Sequence, residues 1–345
     1  MLQFKRLTVA TIRDVAKRAG VSIATVSYVI NGSKPVAPAT VTRVRRAMEE
    51  LDYHPNAAAQ SLRTRTTHVV GVVVSDITNP FFSTLVRGAE DCAREHDYSV
   101  LICNTVETAE NERRYLNLLA RRRVDGLLLA PTGKNDDLIR RLIHRGMHII
   151  FVDRSLPDLP APAVLSENEE GAYLATSLLI ENGHRRIGIV LGLPNASTTA
   201  ERLQGYRRAL AEYGIEEDHD LVVYGDSHVQ GAREACRRLL AQGNPPTAIF
   251  ACNNLMTIGT MCAIRESGLR CPADISVVGF DDFDWTEAFE PPLTTIAQQP
   301  YQMGWEAMRL LLDGLSGTGV DGSREIRLEV QLKVRGSVVR IPGAF

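Results

Sequence analysis

The chain has 345 residues, of which 44% are hydrophobic and 23% are charged, with a formal net charge of −2 at pH 7. These proportions are typical of a globular protein and exclude a disordered or fibrous chain, and the length suffices for two or three domains. No apolar run is long enough to span a membrane and no secretory signal is evident, so we expect no membrane contact and a cytoplasmic location.

The first predicted elements are two short helices joined by a tight turn, between Thr11 and Asn31. Apolar residues recur there at helical spacing, Gly20 suits a helix C-terminus, and Ser22 suits the N-cap of the second helix. A third helix from Pro38 completes a headpiece of residues 9–56. This layout is typical of a helix-turn-helix, and the alternative is an ordinary pair of amphipathic helices.

The distribution of charge favours the first interpretation. Residues 1–68 contain eleven Lys or Arg against four Asp or Glu, a net charge of +7, which leaves −9 on the remaining residues. A basic end on an acidic protein is the electrostatic pattern expected of a nucleic-acid-binding headpiece.

A short segment of high helix propensity, residues 57–63, follows the headpiece within a hinge and linker region of residues 57–67. It has little apolar surface and is too short to remain helical alone in water. We therefore expect a hinge that folds only when something packs against it; the alternative is a plain linker.

From residue 68 onward, short apolar strands alternate with helices, which predicts parallel sheets covered on both faces. The predicted strands are 69–75, 99–104, 126–130, 148–153, 186–192, 221–225, 248–252 and 276–280. The predicted helices are 81–95, 109–122, 135–145, 171–182, 199–213, 230–241 and 255–267. A helix near 302–312 and a strand at 325–333 remain unplaced. Two doubly wound units in series are expected.

Polar and aromatic residues follow several of these strands, at 76–82, 153–154, 253–254 and 281–282. Ligands of open parallel sheets bind beyond the carboxyl ends of the strands, and such a set suits a small hydroxylated molecule. The alternative for each residue alone is a helix N-cap. The six cysteines lack metal-binding spacing, and the sequence has no phosphate-binding loop and no nucleophile motif, so we expect no metal, no cofactor and no enzyme.

Several ordered motifs resemble those of the lactose-repressor (LacI/GalR) family of bacterial transcription regulators. They include TIRDVAKRAGVSIATVSYVING, HPNAAAQSLRTRTTHVVGVVVSDITNPFF, FVDRSL, PTAIFACNN and ISVVGFDDFDWTEAFEPPLTTIAQQP. The resemblance implies a helix-turn-helix headpiece, a hinge helix and a periplasmic-binding-protein-like α/β core of two doubly wound parallel-sheet subdomains, residues 68–345. The N-subdomain would comprise about 68–165 and 298–327, and the C-subdomain about 166–297 and 328–345.

The resemblance also implies the DNA contacts. The second helix would lie in the major groove with Ile23, Ala24, Thr25 and Tyr28 towards the bases, while Thr11, Ser22, Ser27 and Asn31 reach phosphates. In the minor groove the hinge would place Ala59, Leu62 and Arg63, with Leu62 as a wedge between bases. The partner would be a near-palindromic operator bound by a homodimer.

For the effector, the matching positions are Phe81, Phe82, Asp153, Arg154, Asn168, Arg202, Phe250, Asn253, Asn254, Asp281 and Trp285. Trp285 has the alternative of a helix residue packed within its subdomain. Arg154 and Arg202 together suit a carboxylate or phosphate, but the family carries them with neutral sugars too. Asn254 stands where the family often has Asp, which separates this pocket from those of well-known members.

These features predict a ligand-responsive, sequence-specific transcriptional regulator, most consistent with a repressor of a carbohydrate uptake or catabolic operon. A small sugar-like effector in the cleft would alter operator affinity through the hinge helices. The alternative from another class is a solute-binding protein of a transport system, which the basic headpiece and the missing signal peptide disfavour.

Overall fold

The computed structural model describes residues 10–54, 66–159, 161–317 and 324–341. The chain divides into two compact units, Met1–Thr67 and His68–Phe345, here called the headpiece and the core. The predicted hinge residues Ala59, Leu62 and Arg63 lie outside the described residues. Within the described part, no helix is both long and apolar enough to cross a membrane.

The headpiece consists of three helices whose ends follow from local sequence. They are α1 (Ile12–Ala19), α2 (Ile23–Asn31) and α3 (Pro38–Glu50). Gly20 ends α1 with a positive φ of 64°, and the Ser22 side chain caps α2 by accepting a hydrogen bond from the Thr25 amide at 3.1 Å. Val15, Val26 and Val44 are fully buried, one from each helix, and form the centre of a small core.

The first half of the core is built on a parallel six-stranded sheet, which we call the N-subdomain sheet. Its strands are β1 (Val69–Val74), β2 (Ser99–Asn104), β3 (Gly126–Leu129), β4 (His148–Val152), β5 (Ala163–Ser166) and β11 (Glu325–Leu328), in the order β2-β1-β3-β4-β5-β11. Its helices are α4 (Pro80–Glu95), α5 (Ala109–Arg122), α6 (Asp136–His144) and α12 (Pro300–Leu315). One face packs against α4 and α12, and the other against α5 and α6.

The second half, the C-subdomain, repeats the architecture with one reversed edge strand. Its strands are β6 (Ile187–Leu191), β7 (Val222–Tyr224), β8 (Ala248–Ala251), β9 (Ser276–Phe280), β10 (Thr294–Ala297) and β12 (Gln331–Lys333), in the order β7-β6-β8-β9-β10-β12. The helices are α7 (Asn168–Glu181), α8 (Ser197–Glu212), α9 (Val229–Leu240), α10 (Asn254–Glu266) and the short α11 (Asp284–Glu287). Strand β12 is antiparallel to β10, and the other pairs are parallel.

The chain passes between the two sheets three times, after β5, after β10 and after β11. The single strand expected at 325–333 was wrong in this respect: Glu325–Leu328 joins the first sheet and Gln331–Lys333 joins the second. Side-chain alternation continues through the crossing, so the pattern alone cannot reveal it. Strands β5 and β10, each of four residues, were not predicted.

All six cysteines are free thiols, four of them buried. Burial in apolar surroundings raises the pKa of the Cys236 and Cys252 thiols to about 12. Both side chains therefore remain protonated and pack as small apolar groups.

Candidate functional site

The outward face of α2 is largely apolar. Ile23 has 46% of its surface exposed, Ala24 is exposed beside it, and Thr25 and Tyr28 are half-buried. The Lys34 ammonium lies 5.1 Å from the centre of the Tyr28 ring. This face suits apolar contact with thymine methyl groups and one or two directional hydrogen bonds.

The four residues predicted to reach phosphates already make local hydrogen bonds. Thr11 Oγ1 donates to Asp14 Oδ2 at 2.7 Å, and Ser22 Oγ lies 2.9 Å from Thr25 Oγ1. Asn31 Nδ2 donates to the Ser27 carbonyl at 2.5 Å and to Ser27 Oγ at 3.1 Å. A phosphate at these positions must therefore share or replace bonds that hold the helix ends.

A cleft of about 540 Å³, part of it open to solvent, separates the carboxyl ends of the two sheets. Residues that follow strands of both subdomains supply most of its wall, as expected for parallel sheets. The wall comprises Asp76, Asn79, Phe81, Phe82, Glu107, Asp153, Arg154, Gly192, Thr198, Thr199, Arg202, Ser227, His228, Cys252, Asn253, Leu255, Met256, Asp281 and Gln298.

Two buried carboxylates and one buried guanidinium form the charged centre of this cleft. Asp153 follows β4 and Asp281 follows β9, each with a positive φ, 64° and 76° respectively. Burial raises the pKa of Asp153 to about 6, a shift that the positive charges of Arg154 and, to a smaller extent, Arg202 oppose. Burial also raises the pKa of Asp281, a shift that Arg202 opposes. The two guanidinium groups therefore keep the carboxylates closer to their charged state than burial alone would allow.

Arg202 is held from three sides. Its Nε donates to Asn168 Oδ1 at 2.9 Å, its Nη1 donates to the Cys252 carbonyl, and its guanidinium carbon lies 3.8 Å from the centre of the Phe280 ring. Its second terminal nitrogen, Nη2, bonds none of the described residues. A guanidinium fixed in this way presents a preorganised donor to the cleft.

Arg154 is committed to a different partner. Its two terminal nitrogens donate to the two carboxylate oxygens of Glu107, each at 2.7 Å, and both side chains are only 7% exposed. The Nε atom of Arg154 lies 3.4 Å from Asp153 Oδ2. The expectation that Arg154 and Arg202 together suit an anion does not fit this geometry, because the fork of Arg154 is already occupied.

The two walls of the cleft touch each other directly. Asn254 Nδ2 donates to Asn79 Oδ1 at 2.8 Å, and that same oxygen caps α4 by accepting from the Phe81 amide at 2.9 Å. The Ser155 amide donates to Ser197 Oγ at 3.0 Å. The subdomains are therefore in contact across the cleft mouth as well as through the three crossings.

Seven of the predicted effector residues lie on the cleft wall: Phe81, Phe82, Asp153, Arg154, Arg202, Asn253 and Asp281. The other four lie elsewhere. Asn168 bonds Arg202 from behind, Phe250 is wholly buried in the C-subdomain core, and Asn254 is buried against Asn79. Trp285 stacks on Phe283 with ring centres 6.1 Å apart, which fits the alternative of a packed helix residue.

The sequence reasoning did not select several residues of the wall. Glu107 has a positive φ of 55° in the loop after β2, and Thr198 and Thr199 begin α8. His228 and Gln298 complete the polar set. Glu107, like Asp153, follows a strand, so the strand-end rule could have found it, whereas the two threonines resemble ordinary helix-start residues.

Two family models match the chain. "Bacterial regulatory proteins, lacI family" matches residues 11–56, and "Periplasmic binding proteins and sugar binding domain of LacI family" matches residues 67–335. Among curated proteins, the HTH-type transcriptional repressor PurR of Aliivibrio salmonicida (strain LFI1238) is 40% identical over 306 residues, which cover 88% of this chain and 92% of that protein.

Solved structures agree with these matches. A transcriptional regulator CelR-cellobiose complex has 37% sequence identity and a TM-score of 0.74, with 95% of this chain and 99% of the other covered. A lac repressor dimer bound to operator and the anti-inducer ONPF has 30% identity and a TM-score of 0.84, with 96% and 99% covered. Both family and fold are thus shared along nearly the whole chain.

Proposed function

The chain belongs to the LacI family of bacterial regulatory proteins, and from that premise we propose that a neutral sugar in the cleft controls how tightly the headpiece holds operator DNA. The protein is a DNA-binding transcriptional regulator with a ligand-binding core, and it is neither a transport binding protein nor an enzyme. The effector, the operator symmetry and the oligomer are the parts of the proposal that need testing.

The charge of the cleft supports a neutral ligand. Four carboxylates line it, those of Asp76, Glu107, Asp153 and Asp281, against two guanidinium groups. An anionic ligand would be repelled by this excess, whereas sugar hydroxyls can donate to carboxylates and accept from the free Nη2 of Arg202. The observation that carries the proposal is the buried Arg202 guanidinium in a cleft wall that holds more carboxylates than guanidinium groups.

Aromatic side chains support a sugar in particular. The rings of Phe81 and Phe82 lie edge to face with centres 5.2 Å apart at the start of α4. A sugar ring has an apolar face that packs on such rings while its hydroxyls meet the polar wall. The similar CelR structure is described as a cellobiose complex, which makes cellobiose the first ligand to test.

For the DNA side, we propose a homodimer that presents two headpieces to a near-palindromic operator in the cytoplasm. Effector binding shifts the populations of two arrangements of the subdomains, and the hinge segment transmits this shift. Loss of the hinge contacts would remove specific affinity and leave a non-specific phosphate contribution. Repression of a carbohydrate uptake or catabolic operon follows from such a sugar response.

The test combines ligand and DNA binding in the full-length protein. A thermal-shift screen compares cellobiose, ribose, gluconate, inorganic phosphate and nucleobases, since a ligand that binds the folded state raises the melting temperature. Arg202→Ala should abolish the shift given by the best sugar, and Arg238→Ala, an exposed arginine of the C-subdomain, should leave it unchanged. A stronger response to gluconate or phosphate than to any neutral sugar would overturn the proposed ligand class.

The second measurement uses a duplex enriched by the full-length protein from a random pool. The affinity of the protein for this duplex should change when the best sugar is added. The Arg202→Ala variant should show no such change. If no sequence is enriched, or if the sugar binds without altering DNA affinity, the proposed coupling between cleft and headpiece is wrong.

A further inference from the structure

The N-subdomain carries a strongly basic face on an otherwise acidic core. Residues 109–148, which include α5, β3 and α6, contain nine Arg or Lys against five Asp or Glu, a net charge of +4. The rest of residues 69–345 then carries −13. Charge of this sign, concentrated in one part of an acidic protein, indicates an anionic partner.

The arginines of this face differ from most of those elsewhere in the core. Across the rest of the described core, arginines such as Arg186, Arg207, Arg233 and Arg335 pair with Asp or Glu. Between residues 113 and 145, by contrast, none of the eight arginines forms an ion pair within the described part of the chain. The excess of four positive charges in this segment is not offset by ion pairs of its arginines within the described residues, so an anion placed over it is stabilised.

Four of these arginines, Arg121, Arg122, Arg123 and Arg145, lie at one edge of the sheet, and we call them the basic rim. The first three end α5 just before β3, and Arg145 follows α6 just before β4; all four are exposed. The rim therefore lies at the amino ends of the strands, opposite the cleft. His144 and His148 lie at the same edge as the rim.

The chain enters the core at this same edge. The His68 amide donates to Asp125 Oδ2 at 2.8 Å. In the sheet, Val70 of β1 pairs with Gly126 of β3, and Gly126 pairs with His148 of β4. The starts of β1, β3 and β4 are thus adjacent. The segment that leads back to the headpiece leaves the core beside the basic rim.

We propose that the basic rim contacts phosphates of the DNA that flanks the operator, as a second, sequence-independent DNA contact made by the core. The inference rests on the proposed operator binding by the headpiece. Phosphate contacts need only positive charge and reach, which exposed arginines supply without a shaped pocket. The position of the rim at the point of chain entry favours DNA over other anions, because DNA held by the headpiece is the polyanion that the chain itself brings to this protein.

An alternative role for these arginines lies within the fold. Cations near a helix C-terminus interact favourably with the helix dipole, which accounts for Arg121 and Arg122. It does not account for Arg123, which lies beyond the helix with a φ of 55°, or for Arg145, which follows the end of α6 and is exposed. The two roles predict different results with DNA of different length.

The experiment compares two duplexes by fluorescence anisotropy over a series of salt concentrations. One is the enriched sequence at about 20 base pairs, and the other has the same sequence at the centre of about 60 base pairs. The proteins compared are the full-length chain, the triple variant Arg122→Ala/Arg123→Ala/Arg145→Ala, and the triple variant with Lys at the same three positions. The control is Arg238→Ala, which removes an exposed, unpaired arginine outside the face.

Each phosphate contact steepens the plot of log affinity against log salt by about 0.9. For the unaltered protein we expect the slope on the long duplex to exceed that on the short one by about 2 or more, one contact from each protomer of a dimer. The Ala triple should lose this excess and keep its affinity for the short duplex, while the Lys triple and Arg238→Ala should keep both.

Equal slopes on the two duplexes for the unaltered protein, or an excess that survives in the Ala triple, would overturn the inference and leave the helix-dipole role. Failure of the unaltered protein to bind the short duplex would instead contradict the proposed operator binding. Selective binding of the rim to an acidic protein, with no dependence on DNA length, would also overturn it.

Discussion

Replacing Arg202 by alanine tests the charged centre of the cleft most directly. Arg202 is only 6% exposed, and its positive charge opposes the raised pKa of two buried carboxyls, those of Asp153 and Asp281. Its removal also leaves Asn168 Oδ1 and the Cys252 carbonyl without their donor. The variant therefore combines less compensated buried charge with unsatisfied acceptors, and both effects lower the free energy of unfolding.

The magnitude depends on pH. Removing one partner of a direct buried ion pair costs about 3–5 kcal/mol when the other partner stays charged. That range is an upper limit here, because Asp153 keeps Arg154 at 3.4 Å. Asp153 already has a pKa of about 6 with Arg202 present. A carboxyl whose pKa is raised on folding loses stability as the pH rises through that pKa, because the unfolded chain ionises more easily. Loss of Arg202 raises this pKa further, so the cost should approach the full value at about pH 8 and fall to about 1–3 kcal/mol at about pH 5.5.

Urea unfolding at these two pH values measures the difference, with tryptophan fluorescence as the signal. Both tryptophans, Trp285 and Trp305, lie in the core, so the headpiece does not contribute. Arg202→Met serves as the matched control, because it keeps much of the side-chain volume and removes the charge. It should show the same pH dependence as Arg202→Ala with a smaller total loss. An equal loss at both pH values in both variants would refute the electrostatic account.

Three further outcomes are expected. Affinity for the best sugar should fall as the pH is lowered through about 6, by up to tenfold per pH unit. The reason is that a protonated Asp153 no longer accepts two hydrogen bonds. In calorimetric titrations, Asp153→Asn should flatten this pH profile. A Cβ at Gly304 would lie only 1.9 Å from a backbone oxygen of α4. Gly304→Ala should therefore lower the free energy of unfolding in urea by about 3 kcal/mol. Gly243 has open space around it, so Gly243→Ala should leave this free energy unchanged. Leu62→Ala should weaken operator binding more than Thr25→Ala, since a minor-groove wedge carries more of the discrimination than one hydroxyl; comparable losses in a binding titration would reverse that ordering.

The fold was predictable because its signals are local and repeated. Strands such as Ser99–Asn104 and Ser276–Phe280 have the same bounds in sequence and structure, since apolar runs of five or six residues between helices indicate parallel strands. The strands β5 and β10 were missed although β3 and β8, also of four residues, were predicted. Their place is determined by pairing with distant strands, β4 and β9, which a single sequence does not show.

The site was predictable only where the sheet rule applies. Asp153 and Asp281 follow strands, and parallel strands bring such residues to one cleft. The partner of Arg154 could not be inferred, because Glu107 comes from a separate loop and the pairing depends on its backbone conformation. Phe250 was predicted to line the cleft but lies in the core. Its strand is buried on both faces, so the sequence does not show which side chains of that strand face the cleft.

The contacts across the cleft mouth constrain how an effector can act. Asn254 donates to Asn79 and the Ser155 amide donates to Ser197, bonds worth about 1 kcal/mol each. A Cβ at Gly133 would lie 2.6 Å from the Asn195 carbonyl, so the loop after β3 approaches the opposite wall closely.

Reversing a strongly biased two-state equilibrium requires about 5.5 kcal/mol of differential binding. A ligand that bonded Asp153 on one wall and Arg202 on the other without breaking the contacts between the walls would add to those contacts and favour the closed arrangement. A larger ligand must break those contacts to enter and therefore favours an open one. The size of the effector relative to this closed cleft thus determines which arrangement it stabilises, and with it the direction in which the headpiece responds.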